Sequence, residues 1–232
     1  MKILAIDTAT KAASAAIVDD VQGVLGEIGL NIGKTHSQKF LPAVEHLLSL
    51  CEMELRDMDG FAVTIGPGSF TGVRIGLATA KAWGYALNKP LIGLNTLDVL
   101  SGNGDYRYVC PILDARRNEF YCCLYDNGKP LWDYAALSPM QLIERIKELD
   151  APVEFVGDAV HGYRDFLREQ LGEKAYLPLS SRQVFMAASL GTMALKKLAI
   201  GGATTALAIQ PFYLRASEAE IKMQEKRKTL GE

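Results

Sequence analysis

The segment from Phe61 to Leu87 constrains this chain more than any other. Phe61-Ala62-Val63-Thr64-Ile65 reads as a buried strand, Gly66-Pro67-Gly68-Ser69 as a glycine-rich turn, and Phe70 to about Leu87 as a helix. From Val73 onward only Arg74, Thr79 and Lys81 are clearly polar, and a helix apolar nearly all round has to be covered on more than one side. Within it Gly72, Gly76, Ala80 and Gly84 recur at every fourth residue. Glycine inside a helix costs about 1 kcal/mol against alanine, so such a stripe implies a very close approach. The chain's own sheet can cover one side, and a neighbouring helix must cover another. We assign the stripe to a contact between subunits, with packing inside the chain as the alternative.

A glycine-rich turn at a helix N-terminus can bind an anion. Gly66 to Arg74 is nevertheless not a Walker A loop, because no Lys-Ser/Thr follows the glycines, and it is not G-x-G-x-x-G. Nor is it a nucleophile elbow, since Pro67 and Thr71 stand where glycines are required. Ser69 is therefore read as a helix N-cap.

Around this unit the chain reads as α/β. Ile3 to Ile6, Ser14 to Val18 and Val24 to Leu30 form an antiparallel meander. Phe40, Leu41, Val44, Leu47, Leu48 and Cys51 define one apolar face of a helix. A strand at Leu91 to Leu94 follows, then a polar break at Ser101 to Asp105. Beyond it the order repeats loosely: strands at Tyr108 to Leu113 and Phe120 to Tyr125, a turn at Asp126-Asn127-Gly128, and a helix from Pro139 to about Leu149 capped by Ser138. A strand at Val153 to Val156 and a helix from about Gln183 to Leu198 complete the pattern, ahead of a charged, helix-prone tail. Two lobes are expected, 1–103 and 104–232, with a cleft between them and the last helix packing back on the first lobe.

The 232 residues suffice for a large core, and a net charge of −2 gives no global field toward nucleic acid or membrane. Cys51, Cys110, Cys122 and Cys123 form no C-x-x-C pair, which suits a reducing compartment. Asp7 interrupts the N-terminal apolar run too early for a signal peptide, and no apolar stretch is long enough to span a bilayer. The expected location is the cytoplasm.

Asp7-Thr8-Ala9-Thr10 could present Asp7, Thr8 and Thr10 to a phosphate, or could simply close a turn through side-chain to backbone bonds. Gly66 and Gly68 join them as candidate nucleotide-binding residues. Asp114, at the head of Asp114-Ala115-Arg116-Arg117-Asn118-Glu119, sits where a duplicated fold would put a second phosphate-facing turn; a charged hairpin turn is the alternative. His36 and His46 are about 15 Å apart along one helix and cannot share a metal. His36 reads as a helix-start residue and His46 as a solvated one. No zinc spacing occurs elsewhere. Lys222, Lys226, Arg227 and Lys228 form a small basic tail, solvated or touching RNA phosphate.

Ile3 to Thr10, Gly66 to Arg74, Asn88 to Gly93, Asp114-Ala115-Arg116 and Pro211 to Arg215 together resemble the TsaB family, also known as YeaZ. The resemblance runs nearly end to end and implies the two-lobed fold of actin, sugar kinases and the Hsp70 ATPase. It also implies a part in making N6-threonylcarbamoyladenosine at position 37 of tRNAs, beside a catalytic homologue, TsaD, and an ATPase, TsaE. In TsaD two histidines of Asn-His-Met-Glu-Gly-His bind the catalytic metal. The matching stretch here is Asn95-Thr96-Leu97-Asp98-Val99-Leu100, with Thr96 and Leu100 at the histidine positions. Leucine cannot ligate a metal and threonine is a poor ligand alone.

The resemblance therefore implies a non-catalytic subunit with no catalytic or metal-binding residue of its own. It places the partner interface on the helices of the first lobe. The candidate interface residues are Phe40, Val44, Leu47, Gly72, Arg74, Gly76, Ala80 and Gly84. A homodimer is expected when the chain is alone, with tRNA held mainly through the complex and ATP or ADP, if bound, at a complex interface. The alternatives are a nucleotide-binding enzyme of the sugar-kinase type and a metallopeptidase.

Overall fold

The computed structural model describes residues 1–31, 36–178 and 185–215. The basic tail lies outside the described residues, as does the start of the helix expected from Gln183. The chain opens with β1 (Lys2–Asp7), β2 (Ala13–Asp19) and β3 (Gly23–Leu30), an antiparallel meander in which Ile3 faces Val18 and Ala15 faces Ile28. Next come α1 (His36–Leu50), β4 (Gly60–Thr64), α2 (Phe70–Ala86) and β5 (Leu91–Leu94). Both β4 and β5 run parallel to β1, giving the order β3-β2-β1-β4-β5. Parallel neighbours need a crossover, and α2 supplies it between β4 and β5. Ser69 caps α2, its Oγ accepting from the Gly72 N–H at 3.2 Å.

The short helix α3 (Thr96–Ser101) leads into β6 (Tyr108–Asp114), β7 (Phe120–Cys122), β8 (Tyr125–Asp126), β9 (Lys129–Pro130) and β10 (Ala135–Leu137). Then follow α4 (Pro139–Lys147), β11 (Val153–Val156), α5 (Ala159–Leu171), β12 (Ala175–Tyr176) and α6 (Ala187–Ala199). The second sheet has the order β10-β7-β6-β11-β12, with β8 and β9 attached as a hairpin. Its central path repeats the first sheet: antiparallel on one side of β6, parallel through β11 and β12 on the other. The fold is thus duplicated without a residue-level repeat. Ser138 caps α4 through a reciprocal pair with Gln141, and Pro139 opens the helix.

Two expectations need correction. The strand read from Phe120 to Tyr125 is two pieces, because the chain turns at Cys123-Leu124. There the Leu124 carbonyl accepts from the Leu131 N–H at 2.7 Å instead of continuing the ladder. The helix α5 is not among the elements expected from the sequence. It buries only Ala159, Val160, Leu167 and Leu171, a narrow stripe among charged residues.

The first sheet is covered on both faces. Phe40, Val44 and Leu47 of α1 pack with Leu4, Ile6 and Phe61 on one side. On the other, Leu190 and Ala194 of α6 pack with Ile3, Ala5, Ala16 and Val18. The same core includes Val109, Leu113 and Tyr125 of the second sheet, so the two lobes share one apolar seam. Among the described residues no helix is long and apolar enough to cross a membrane.

Candidate functional site

Equivalent strands end on equivalent residues. Asp7 closes β1 and Asp114 closes β6; Gly66 follows β4 at φ 110° and Gly157 follows β11 at φ 112°. The two halves meet where Lys11 Nζ stands 3.7 Å from Asp114 Oδ2.

Their chemistry differs. Asp7 is fully buried. Its Oδ1 accepts from Thr64 Oγ1 at 2.5 Å and from the Ala9 N–H at 3.1 Å, while Oδ2 has no hydrogen-bond partner. Burial pushes the Asp7 carboxyl up to about 6, against the Thr64 and Ala9 hydrogen bonds that favour the charged form. Thr8 Oγ1 donates to the Gly72 carbonyl at 2.6 Å, and Thr10 Oγ1 to the Ala12 carbonyl at 3.1 Å. The Ser69 N–H donates to the Ala9 carbonyl at 2.7 Å. A Cβ on Gly66 would strike the Phe212 carbonyl, and one on Gly68 the Ala9 carbonyl. These glycines admit the chain's own backbone. Thr8, Thr10 and the Ser69 N–H are thus committed to closing the first turn, and Asp7 Oδ2 is left without a partner.

The second turn is open. Asp114 is exposed, and its N–H donates to Asp158 Oδ1 at 3.1 Å. Burial raises the Asp158 carboxyl above its usual range, against the Asp114 N–H bond and the nearby Lys11 charge. Arg116, Arg117 and Asn118 follow with φ of 60°, 53° and 57°, three successive left-handed residues with no glycine among them. Such a conformation costs an L-residue about 1–2 kcal/mol. It is held by the Arg116 N–H on Asp114 Oδ1 at 2.8 Å, the Ala115 N–H on the Glu119 carbonyl at 3.0 Å, and Tyr163 Oη on Asn118 Oδ1 at 3.0 Å.

A C-terminal strap crosses between the lobes. The Phe212 N–H donates to the Ile65 carbonyl at 2.7 Å, and the Phe212 ring meets Tyr134 edge-on at 5.6 Å. Tyr213 packs on Phe70, and its hydroxyl accepts from Arg74 Nε at 3.1 Å. Arg215 reaches Glu119 at 2.6 Å.

Asp98 ties the lobes together. Its Oδ1 accepts from Tyr125 Oη at 2.6 Å and Tyr134 Oη at 2.7 Å. Burial, and after it the Asp98 carboxylate, pushes both phenols well above a tyrosine's usual range, Tyr125 further than Tyr134. No local signal marks Asp98, because both partners lie in the second lobe. On the same short helix Thr96 and Leu100 are one turn apart and both buried, and Leu100 belongs to the apolar seam. Thr96 Oγ1 is buried without a hydrogen-bond partner. One hydroxyl beside a leucine is not a metal-ligand set. Among the described residues no group of three or more His, Cys, Asp or Glu could hold a metal ion.

The residues proposed to meet a partner need a correction. Phe40, Val44, Leu47, Gly72, Gly76, Ala80 and Gly84 are all buried within this chain. A Cβ on Gly72 would strike the Thr8 carbonyl, one on Gly76 would stand 2.6 Å from Thr8 Oγ1, and one on Gly84 2.9 Å from Leu91 Cδ2. The stripe lets α2 approach its own sheet, which is the internal alternative. Spacing identifies a buried face but not whose surface buries it. Of the eight, only Arg74 is exposed, lying over the Phe70 ring at 3.7 Å. The outward face of α2 carries Thr71, Arg74, Ala78, Ala82 and Tyr85 instead. His46 is solvent-exposed.

Two copies of one mixed-sheet unit, with an aspartate ending each central strand, define the fold of actin, sugar kinases and the Hsp70 ATPase. The activator of the 2-hydroxyisocaproyl-CoA dehydratase from Clostridium difficile shares this fold, with TM-score 0.58 and 12% identity over 87% of this chain and 97% of that one. The model of the family "TsaD: tRNA N6-adenosine threonylcarbamoyltransferase" matches residues 9–223. The tRNA threonylcarbamoyladenosine biosynthesis protein TsaB of Bacillus subtilis is 32% identical over 98% of this chain and 100% of its own length. YeaZ from Pseudomonas aeruginosa superposes with TM-score 0.73 at 25% identity, covering 91% of this chain and all of that one. The chain belongs to this family, in its TsaB (YeaZ) branch.

Proposed function

We propose that this chain is a non-catalytic subunit that binds a TsaD-type enzyme and supports its formation of N6-threonylcarbamoyladenosine at position 37 of tRNAs. The observation that carries this reading is the fate of the catalytic position. Thr96 and Leu100 are both buried and Leu100 packs into the seam between the lobes, so the helix that would present a metal-ligand pair serves as packing. The first phosphate-facing turn is likewise closed on itself through Thr8, Thr10 and Ser69. Both features argue against a sugar-kinase-type enzyme and a metallopeptidase.

The partner face of this reading is the outer side of α2 with the exposed end of α1. Tyr85 is 75% exposed and Leu50 69%, and a groove lined by Leu48, Met53, Leu55 and Leu87 together with Glu45, Ser49, Glu54 and Arg56 lies at the end of α1. Exposed aromatic and aliphatic groups of this kind make protein contacts. The same face would join two copies when the chain is alone. A TsaE-type ATPase docks on the assembled pair, and ATP or ADP binds at that interface, not in the closed cleft. The complex works in the cytoplasm.

The test is a reconstituted tRNA modification assay, with the partner proteins present and this chain added or omitted. Modification that requires the chain, which alone neither hydrolyses ATP nor modifies tRNA, supports the proposal. Partners that work equally well without it would overturn it.

A further inference from the structure

Between Asp59 and Asp98 the chain contains no acidic residue, and all of α2 lies in that span. The exposed face of α2 carries Thr71, Arg74, Ala78, Ala82 and Tyr85, with the half-buried Lys81 on its flank. Arg74 and Lys81 are seven residues apart, two turns and about 10 Å along the same side of the helix. Among the described residues neither makes an ion pair, and the exposed Glu45 of α1 and Glu52 beyond it pair with neither. Arg74 is nevertheless held in place. Its guanidinium carbon lies 3.7 Å from the centre of the Phe70 ring, and its Nε donates to Tyr213 Oη at 3.1 Å. The guanidinium thus sits over the first turn of α2, the end of a helix that disfavours a cation. Phe70 and Tyr213 keep it there with both terminal nitrogens uncommitted. A fork so fixed loses little freedom when it meets a carboxylate.

We propose that the outer face of α2 recognises an acidic helix of the partner enzyme, Arg74 and Lys81 pairing with two carboxylates about two turns apart while Ala78, Ala82 and Tyr85 pack between them. This rests on the functional reading above and adds the chemistry of the surface that the partner presents. The small side chains at 78 and 82 let a facing helix come close enough for both pairs to form. The same charges select the partner over a second copy. An α2 helix has no carboxylate to offer, so α2 against α2 sets cations against cations. Like charges brought together across an interface suppress the wrong pairing. The two chains of a homodimer therefore meet on this face less tightly than the chain meets its enzyme, and added salt, which screens exposed charges, acts on the two assemblies in opposite directions.

The experiment measures the affinity of the full chain for a TsaD-type enzyme by calorimetry, and its self-association by sedimentation equilibrium, across about 50 to 500 mM salt. It compares the unaltered chain with Lys81→Gln, Arg74→Gln, and the double reversal Arg74→Glu with Lys81→Glu, each checked by thermal melting. We expect the complex with the enzyme to weaken as salt rises, by about threefold for Lys81→Gln and about tenfold for the double reversal at low salt. The salt dependence should flatten in the neutral variants. Self-association should instead tighten with salt and in both glutamine variants. Lys81 has no bonded partner among the described residues, so Lys81→Gln keeps the test open should changes at Arg74 disturb Phe70 and Tyr213. Variants that melt like the unaltered chain and bind the enzyme with unchanged affinity and salt dependence would overturn the proposal while leaving the subunit reading intact. A homodimer that weakens with salt would overturn the selection against a second copy. An unaltered chain that binds no TsaD-type enzyme at any salt would overturn both the proposal and the subunit reading.

Discussion

Gly76 of α2 sits directly against Thr8: a Cβ added at position 76 would stand 2.6 Å from Thr8 Oγ1. That hydroxyl is fixed by its bond to the Gly72 carbonyl at 2.6 Å. Gly76→Ala is therefore expected to destabilise the chain by about 1–3 kcal/mol through overpacking, despite alanine's better helix propensity. Gly76→Arg should prevent folding, not merely block a partner. Urea melts of the alanine variant check this; an unchanged midpoint would mean that α2 moves away freely.

The outward face of α2 should behave in the opposite way. Ala78→Arg and Tyr85→Arg touch no packed neighbour, and surface changes of this kind stay within about 0.5 kcal/mol. Each is expected to melt like the unaltered chain yet to lose the TsaD-type partner on gel filtration. A variant that retains the complex would move the interface elsewhere.

Asp98 should be a stability residue of the lobe junction. Asp98→Ala removes the acceptor of Tyr125 and Tyr134 together and is expected to cost about 2–4 kcal/mol, given the strength of hydrogen bonds to a carboxylate. Tyr125→Phe should cost less on its own, and less again in the Asp98→Ala background. A double-mutant cycle measures that coupling, and simple additivity would rule out the shared network.

Asp7 makes the stability depend on pH. Burial pushes its carboxyl up to about 6 in the folded chain, above the ordinary aspartate value of about 4, so the folded state binds the proton more tightly. The contribution is fully favourable below about pH 4 and is lost as pH rises through about 6, an order of 2–3 kcal/mol. Asp7→Asn keeps an acceptor for Thr64 and removes the titration. The stability difference between the two chains should therefore shift between pH 4 and 7, with the asparagine variant gaining as pH rises. Parallel curves from denaturant melts would contradict this.

The interface prediction turns on a distinction that the sequence does not contain. Gly72, Gly76, Ala80 and Gly84 show that α2 approaches something closely, and the order of strands and helices shows that a sheet is available. Both facts are local and follow from periodicity. Which side of the helix meets that sheet depends on where β1 brings Thr8, residues far away along the chain. The Asp98 clamp escaped notice for the same reason, its partners being 27 and 36 residues distant.

By itself the sequence determined the meander, the strand–turn–helix around Gly66, the caps at Ser69 and Ser138, and the family. These rest on residue preferences and spacings that act within a few residues. Only the tertiary structure decided that the Asp7 turn is closed while the Asp114 turn is open, and that the glycine stripe faces inward. Each of those depends on long-range burial and on which backbone groups meet across the lobes. Periodicity and spacing, acting within one stretch of chain, leave that pairing open.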